Sequence, residues 1–429
     1  MDVFNLVDVS HYVTEVTKEE LQRIAIAGTH LHKWQGCGID GLRNVIQDQA
    51  IIQLDPLNPA GREHDIFFAA RVQDYKIGQF EEVAYPERLV FESYGYQGHT
   101  WGVLCAFAIE YFPLFYSRMQ RDFFGKNTIR RIEALEKNHP KLLDQVEEYV
   151  RVHGEINGDA LKEWGKIDSS YASWKTGRLG GTALETLWLL GRLVVSRRAK
   201  NFRKMYNLPN RFVPPELLQK VSVNNEEFTI RDFVLKQKSY PLQYLGNLSQ
   251  KKSGGNTTSF TMRTSKRFDP IVFESGGDEK PVILKLEDSK IALAAPSHWE
   301  RLVTLKYNDI MRAIAPLDPL IWNRSITKAI FDFEYVWEVY KPIKDRIWGY
   351  YVYPLLYLGK LIARLEAMFD KKTKFLTFFN FQVEEHYPRE NRTEKALIDL
   401  FTRWGVALDA KKIRTDDSLQ KYGCDSELI

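Results

Sequence analysis

Gln53 and Asp55 are the residues whose types and spacing point most directly to chemistry. They sit in the stretch Ile51-Ile52-Gln53-Leu54-Asp55-Pro56-Leu57-Asn58-Pro59-Ala60-Gly61-Arg62-Glu63-His64-Asp65. Ile51 and Ile52 are β-branched and Pro56 stops any ladder, so the pattern predicts a short strand over 50–54. Side chains two apart on a strand share a face, which aims Gln53 and Asp55 the same way with Leu54 buried behind them. An amide can hold a water, and a carboxylate supplies fixed negative charge. The pair suits hydrolysis through a cationic transition state, as in cleavage of a sugar C–N or C–O bond. Asp-Pro after a strand is also a common turn opener, so Gln-x-Asp alone defines no site.

The elements that must position this pair are mostly helical. Thr17-Lys18-Glu19-Glu20 reads as a capping box opening a helix through Ile26, and residues 40–49 form a second helix before the strand. Residues 129–150 are charged, with Ile132, Leu135, Leu142, Leu143 and Val146 on one side, as in surface helices. Residues 101–116 are the most apolar run. They carry Glu110 and Pro113 and are shorter than the roughly 20 residues a bilayer span needs, so a buried helix is expected there.

Asn157-Gly158-Asp159-Ala160 opens a short helix, Gly180-Gly181-Thr182 caps another over 183–190, and Leu193-Val194-Val195 begins a strand. Helix, helix, then hairpin is the order of a winged helix-turn-helix. The Gly-rich segment 249–258 reads as a loop or wing tip, and 228–238 as a further helix. From Pro281 onward short strands are expected at 282–286, 291–294, 348–353, 361–366 and 375–381, closed by a helix over 393–404.

A second chemical signal is the run Arg192, Arg197, Arg198, Lys200, Arg203, Lys204 and Arg211, with no acidic residue between its first and last members and with Phe202 and Tyr206 interleaved. Placed on a wing after a recognition-type helix, these cations would lie against a phosphate backbone. Trp174, Lys175 and Arg178 just upstream would extend the same surface. A solvated charged face is the competing reading.

The whole chain sets the bounds. Its 429 residues, 44% hydrophobic and 27% charged, make several folded units rather than a disordered chain. The net charge of +4 is too small to argue for a polyanion partner without the local cluster. Three widely spaced cysteines fit a reducing compartment, and Met1-Asp2-Val3-Phe4-Asn5 lacks the features of a signal peptide, so a cytoplasmic, soluble protein is expected. His30-x-His32 has no acidic or histidine cluster nearby, so no metal is expected. No GxGxxG, GxxxxGK or GxSxG pattern occurs, which disfavours nucleotide-dependent and serine-hydrolase chemistry.

Taken together, these residues resemble the winged-helix DNA glycosylases of the AlkZ/YcaQ type. Gln53-Leu54-Asp55 with Arg62-Glu63-His64-Asp65 resembles that family's Gln-φ-Asp motif and the Arg-x-His that trails it. Trp174-Lys175, Ala183 to Trp188, Gly191 and the segment 202–208 are similar to its second winged helix. Leu317-Asp318-Pro319-Leu320-Ile321-Trp322 resembles its DPLIW-type turn. Glu338-x-Tyr340 and 349–355 resemble the strands that follow.

The resemblance implies an α+β fold of tandem winged helix-turn-helix units with a C-terminal small β-barrel. The segments would be 1–150 with the catalytic motif, 151–222, 223–310 and 311–429. It implies a monofunctional DNA glycosylase acting on alkylated, cationic purines and unhooking interstrand crosslinks. Asp55 would set the charge beneath the sugar and steer water, and Gln53 would hold that water. Arg62 and His64 would contact the DNA backbone. The partner would be double-stranded DNA carrying alkylated or crosslinked bases, bound by a monomer without membrane association and with no metal or organic cofactor. The alternative from a different class is a non-catalytic winged-helix regulator.

Overall fold

The computed structural model describes residues 6–9, 13–97, 100–119, 126–166, 178–219, 225–252, 258–263, 280–424 and 426–427. Where the sequence suggested four linear segments, the chain makes two compact units. One joins Met1–Gln79 to Thr229–Ile429, and the other is Phe80–Phe228. The motif-bearing N-terminal stretch therefore folds with the C-terminal half.

In the discontinuous unit, Thr17 caps the helix Lys18–Gly28 through the expected capping box: its hydroxyl accepts from the Glu20 amide and the Glu20 carboxylate accepts from the Thr17 amide. The helix buries Leu21, Ile24, Ala25, Ile26 and Ala27. Its partner is a six-stranded sheet ordered Leu6–Asp8, Thr258–Arg263, Gln243–Lys252, Ile291–Ala295, Val282–Leu286, Val13–Val16, the last pair parallel. Strands expected to belong with the C-terminal sheet, at 282–286 and 291–294, lie here instead, the first pairing with Val13–Val16 and the second with Gln243–Lys252. Both strands are buried after their first residue, and a mostly apolar run does not record which strand it will pair with.

Two other readings change. Gln243–Lys252 is a strand where a loop from 249 was expected, and 253–257 lie outside the described residues. The helix expected over 228–238 is longer, Asn225–Ser239.

The second sheet of this unit runs Arg312–Ala313, Val352–Tyr357, Lys360–Asp370, Phe375–Val383, Lys412–Thr415, the final pair parallel. Among the described residues the strand order does not close on itself, and Glu427 bridges Arg414 on its last edge, so the small barrel expected from sequence is a curled half-barrel. The helix Asn391–Leu408 covers it, burying Leu397, Leu400, Phe401 and Trp404. Phe401 stacks on Phe378 with ring centroids 3.9 Å apart. Burial of side chains of this size is worth roughly 1.5–3 kcal/mol each. Residues 348–351, expected to be strand, precede it in a turn held by carboxylates.

The unit Phe80–Phe228 contains an antiparallel pair, Val90–Gln97 with Thr100–Ala108. This replaces the first half of the helix expected over 101–116. Only Phe112–Met119 is α-helical, beginning with Pro113 in its first turn, where a missing N–H costs nothing. An apolar run with no 3.6-residue period does not separate a buried strand from a buried helix. The charged stretch forms two helices, Lys126–Asn138 and Leu142–His153, separated around Pro140. A helix Leu179–Leu189 and an antiparallel hairpin, Val194–Ala199 with Arg203–Asn207, follow. Ile156 bridges Tyr206. Their common core includes Leu143, Val146, Leu184, Leu187, Trp188 and Val195.

Candidate active site and nucleic-acid interface

The helix Gly38–Gln49 ends on Ala50 in the left-handed region (φ 59°), and the strand Ile51–Gln53 leaves directly from it. Gln49 is buried and its amide reaches the Gly28 and Lys238 carbonyls at 3.2 and 3.3 Å, while the Ser239 hydroxyl donates to the Gln49 carbonyl. The strand's entry is thus fixed from two sides. Gln53 and Asp55 are half-buried and Leu54 between them is 3% exposed, the alternation expected of an extended segment.

Beyond Asp55 the chain is pinned at four points. The Asp55 carboxylate accepts from the Leu57 amide at 2.9 Å, and Asn58 Oδ1 accepts from Gly61 N at 3.1 Å. The Pro59 carbonyl accepts from Phe369 N at 2.7 Å and the Ala60 carbonyl from Trp404 Nε1 at 2.8 Å. Gly61 has φ +121°, and a Cβ there would meet Ile66 Cδ1 at 2.9 Å, so glycine is required. Two prolines and these bonds make the segment a stiff mount.

The helix Glu63–Ala69 comes next and points most of its first turn inward. Glu63, His64 and Asp65 are all buried. Asp65 ties the turn together, accepting from Arg62 N, the Tyr75 hydroxyl and Gly78 N. Glu63 accepts from Leu317 N at 2.8 Å and from the Tyr351 hydroxyl at 3.2 Å. Burial pushes its carboxyl well above the ordinary glutamate range. The bond from Leu317 N works against this, and the negative charges of Asp318 and Asp55 add to it. A buried carboxyl with a raised pKa therefore sits behind a more exposed one.

Nothing in the sequence singles out Glu63. The resemblance placed His64 against the DNA backbone, yet His64 is 0% exposed, so the described conformation offers it no such contact. Arg62 is half-buried.

Two further devices were not legible. Arg71 and Asp318 form a fully buried, bidentate ion pair at 2.7 and 3.0 Å. Arg71 also donates to the Thr29 and Phe67 carbonyls, and Asp318 caps the short helix Pro319–Trp322. The DPLIW-type turn is thereby locked behind Glu63.

The second device is the turn 338–351. Although burial works the other way, Lys341 and the amides of Trp348, Ile347 and Gly349 hold the Glu338 carboxyl down at about 2. Glu366 accepts from Tyr350 N and Tyr351 N. This rigid turn exposes Tyr340 (82%), Ile343 (81%) and Ile347 (71%).

The basic cluster divides in two. Arg198 is buried and bridges to the buried Glu92, its guanidinium 4.2 Å from the Phe202 ring centroid. Lys204 lies 3.6 Å from the Trp188 ring centroid and 3.0 Å from Glu185. Burial pushes its ammonium down and Glu185 holds it up. Both charges are committed inside the fold, contrary to their expected place against phosphates. Arg192 pairs with Asp144 and Glu147.

Arg178, Arg197 and Arg203 are about half exposed, pairing at the surface with Asp159, Glu155 and Asp159 respectively. Lys200 lies in the hairpin turn Lys200–Phe202. Trp174 and Lys175 lie outside the described residues. The acids that neutralise the run all come from segments outside it.

Residues 46–404 match the model of the AlkZ-like DNA glycosylase family. The chain belongs to this family. The fold agrees with that of Streptomyces sahachiroi DNA glycosylase AlkZ, with a TM-score of 0.56 over 94% of this chain and all of that one, at 13% sequence identity. For this AlkZ-like chain the family supports DNA glycosylase function and a DNA substrate. Among the described residues, no helix is long and apolar enough to cross a membrane.

Proposed function

We propose that this AlkZ-like chain hydrolyses the N-glycosidic bond of alkylated, positively charged purines in duplex DNA. The observation that carries the proposal is Asp55, a half-exposed carboxylate on a four-point mount with a buried carboxyl behind it. An N-alkylated purine is already a good leaving group. The enzyme must stabilise the sugar oxocarbenium and deliver water, and fixed negative charge in a preorganised setting does the first. Asp55 takes that role and steers the water, and Gln53, on the same face, holds it.

Glu63 is a positioning residue. It is too buried to touch substrate, and its bonds to Leu317 and Tyr351 tie the helix after the motif to the DPLIW-type turn and to the turn that precedes Val352–Tyr357. With Glu63 buried away from substrate, a leaving group that brings its own positive charge is favoured over a neutral base. No lysine follows the motif closely enough to form a Schiff base, which favours hydrolysis without a lyase step. The same chemistry extends to unhooking crosslinks through N7 of guanine.

The helix expected to open at 157 is a turn followed by the 3-10 segment Lys162–Trp164; with the helix Leu142–His153 in its place, the helix Leu179–Leu189 and the hairpin 194–207 follow the order of a winged helix-turn-helix. We read Arg178, Arg197 and Arg203 on it as phosphate contacts, with Arg62 as a contact nearer the lesion. The exposed Tyr340, Ile343 and Ile347 suit insertion beside a distorted base pair, as apolar wedges do in the minor groove.

The test is incubation with a duplex carrying one N7-methylguanine, then alkaline cleavage of abasic sites. Strand breakage at the lesion supports the reading. Binding without breakage assigns the chain to the non-catalytic DNA-binding class.

A further inference from the structure

The turn Asn58-Pro59-Ala60-Gly61 carries a donor that the fold does not use. Asn58 is half-buried, and its Oδ1 accepts from Gly61 N at 3.1 Å. That bond fixes which end of the amide is which, because only the oxygen can receive an N–H. The Nδ2 end then carries two N–H donors and makes no hydrogen bond among the described residues. Unlike the unbonded Nδ1 of His32, it is not sealed within the fold.

The turn is rigid behind this donor. Trp404 Nε1 and Phe369 N hold the Ala60 and Pro59 carbonyls, and the ring of Pro59 fixes its own φ. Asn58 lies three residues after Asp55, a reach of at most about 11 Å. Successive nucleotides of one strand rise about 3.4 Å each, so phosphates flanking a nucleotide held at Asp55 fall within that reach. A donor whose acceptor end is already engaged can serve only an acceptor, and phosphate oxygens are acceptors that asparagine side chains commonly bind. A neutral amide also suits this place. It holds a phosphate without adding a positive charge that would offset the carboxylate beneath the sugar.

We propose that Asn58 Nδ2 donates to a phosphate oxygen flanking the lesion and so positions the damaged nucleotide beside Asp55. The contact rests on the reading of Asp55 as the charge beneath the sugar. It makes Asn58 a substrate-binding residue as well as a member of the mount.

The test is affinity, by fluorescence anisotropy, for a duplex whose N7-methylguanine carries a 2′-fluoroarabino sugar that slows release. Each phosphate flanking the lesion is replaced in turn by an uncharged methylphosphonate. The wild-type protein should lose about tenfold in affinity at one linkage, about 1.4 kcal/mol, the scale of a hydrogen bond to a charged group. Asn58→Ala should lose the same tenfold on the unmodified duplex and nothing more at that linkage. Asn58→Asp keeps an acceptor for Gly61 N and replaces the donor by a negative charge. It should bind the unmodified duplex more weakly than Asn58→Ala and regain affinity at the neutral linkage. No sensitive linkage in the wild type, or the same loss there in wild type and Asn58→Ala, would overturn the contact. Release of N7-methylguanine from the ordinary sugar by the wild-type protein is read separately. The linkage effect without release supports the contact and removes hydrolysis, whereas release without the linkage effect supports hydrolysis and removes the contact.

Discussion

Glu63→Gln should change how the protein's stability depends on pH, and the direction is fixed by the site. In the folded chain burial raises the Glu63 carboxyl, helped by the charges of Asp318 and Asp55. In the unfolded chain the same carboxyl ionises at the ordinary glutamate value. Between the two values the folded state holds a proton that the unfolded state has lost. The unfolding free energy must then fall as pH rises, by up to about 1.4 kcal/mol per pH unit. Stability from this group is intact below the ordinary glutamate pKa and is lost progressively up to the folded value. Glutamine keeps the shape: its carbonyl can accept from Leu317 N and its amide can donate to the Tyr351 oxygen. The variant should therefore lose the slope and be the more stable protein at the upper end. Urea unfolding of both proteins, from about pH 5 to about pH 8, measures the difference directly. Glu338, held down at about 2, titrates below this window. Parallel stability curves for the two proteins would refute the raised Glu63 carboxyl.

Three further outcomes are expected. Asp318→Asn should cost about 3–5 kcal/mol in urea unfolding, because it leaves the Arg71 guanidinium charged and buried without its partner; a loss under about 1 kcal/mol would mean the pair is not what locks the turn. Arg178, Arg197 and Arg203 changed together to Ala should weaken binding to damaged and undamaged duplex alike, lowering the slope of log affinity against log salt by about 0.9 per contact. An unchanged slope, read by fluorescence anisotropy, would make these arginines a solvated face. Excision should favour N7-alkylguanine, including bulky adducts, over uracil, since the Glu63 carboxyl is buried away from a neutral base. Efficient uracil release with failure on N7-alkylguanine would reverse that ordering.

What the sequence revealed and what it hid follow from the range of the interactions. The capping box at Thr17 and the strand at Ile51–Gln53 rest on neighbours within a few residues, and both were legible. So was the alternation of Gln53, Leu54 and Asp55, because a strand's period is intrinsic to the backbone. The basic run misled because its counter-charges are distant in sequence. Glu92 is 106 residues from Arg198, and Asp159 is 44 from Arg203.

The apolar run at 101–116 misled for a different reason: burial on both sides erases the periodicity that separates strand from helix. Glu63 gives no local signal, because Leu317 and Tyr351, which enclose it, lie 254 and 288 residues away. Arg71 and Asp318, 247 apart, were hidden in the same way. The family resemblance named the turn containing Asp318 without its partner. The N-terminal strand Val13–Val16 pairs with Val282–Leu286, which explains why a linear reading of segments differs from the two observed units.

The central claim is that Asp55 supplies transition-state charge rather than binding, and Asp55→Asn isolates it. Asparagine can still accept from the Leu57 amide, so the mount survives while the charge is removed. Single-turnover release of N7-methylguanine from duplex DNA is the measurement, with duplex affinity taken alongside. Release should fall by about a hundredfold or more while affinity changes only a few-fold. Near-normal release by the variant would remove Asp55 from the mechanism.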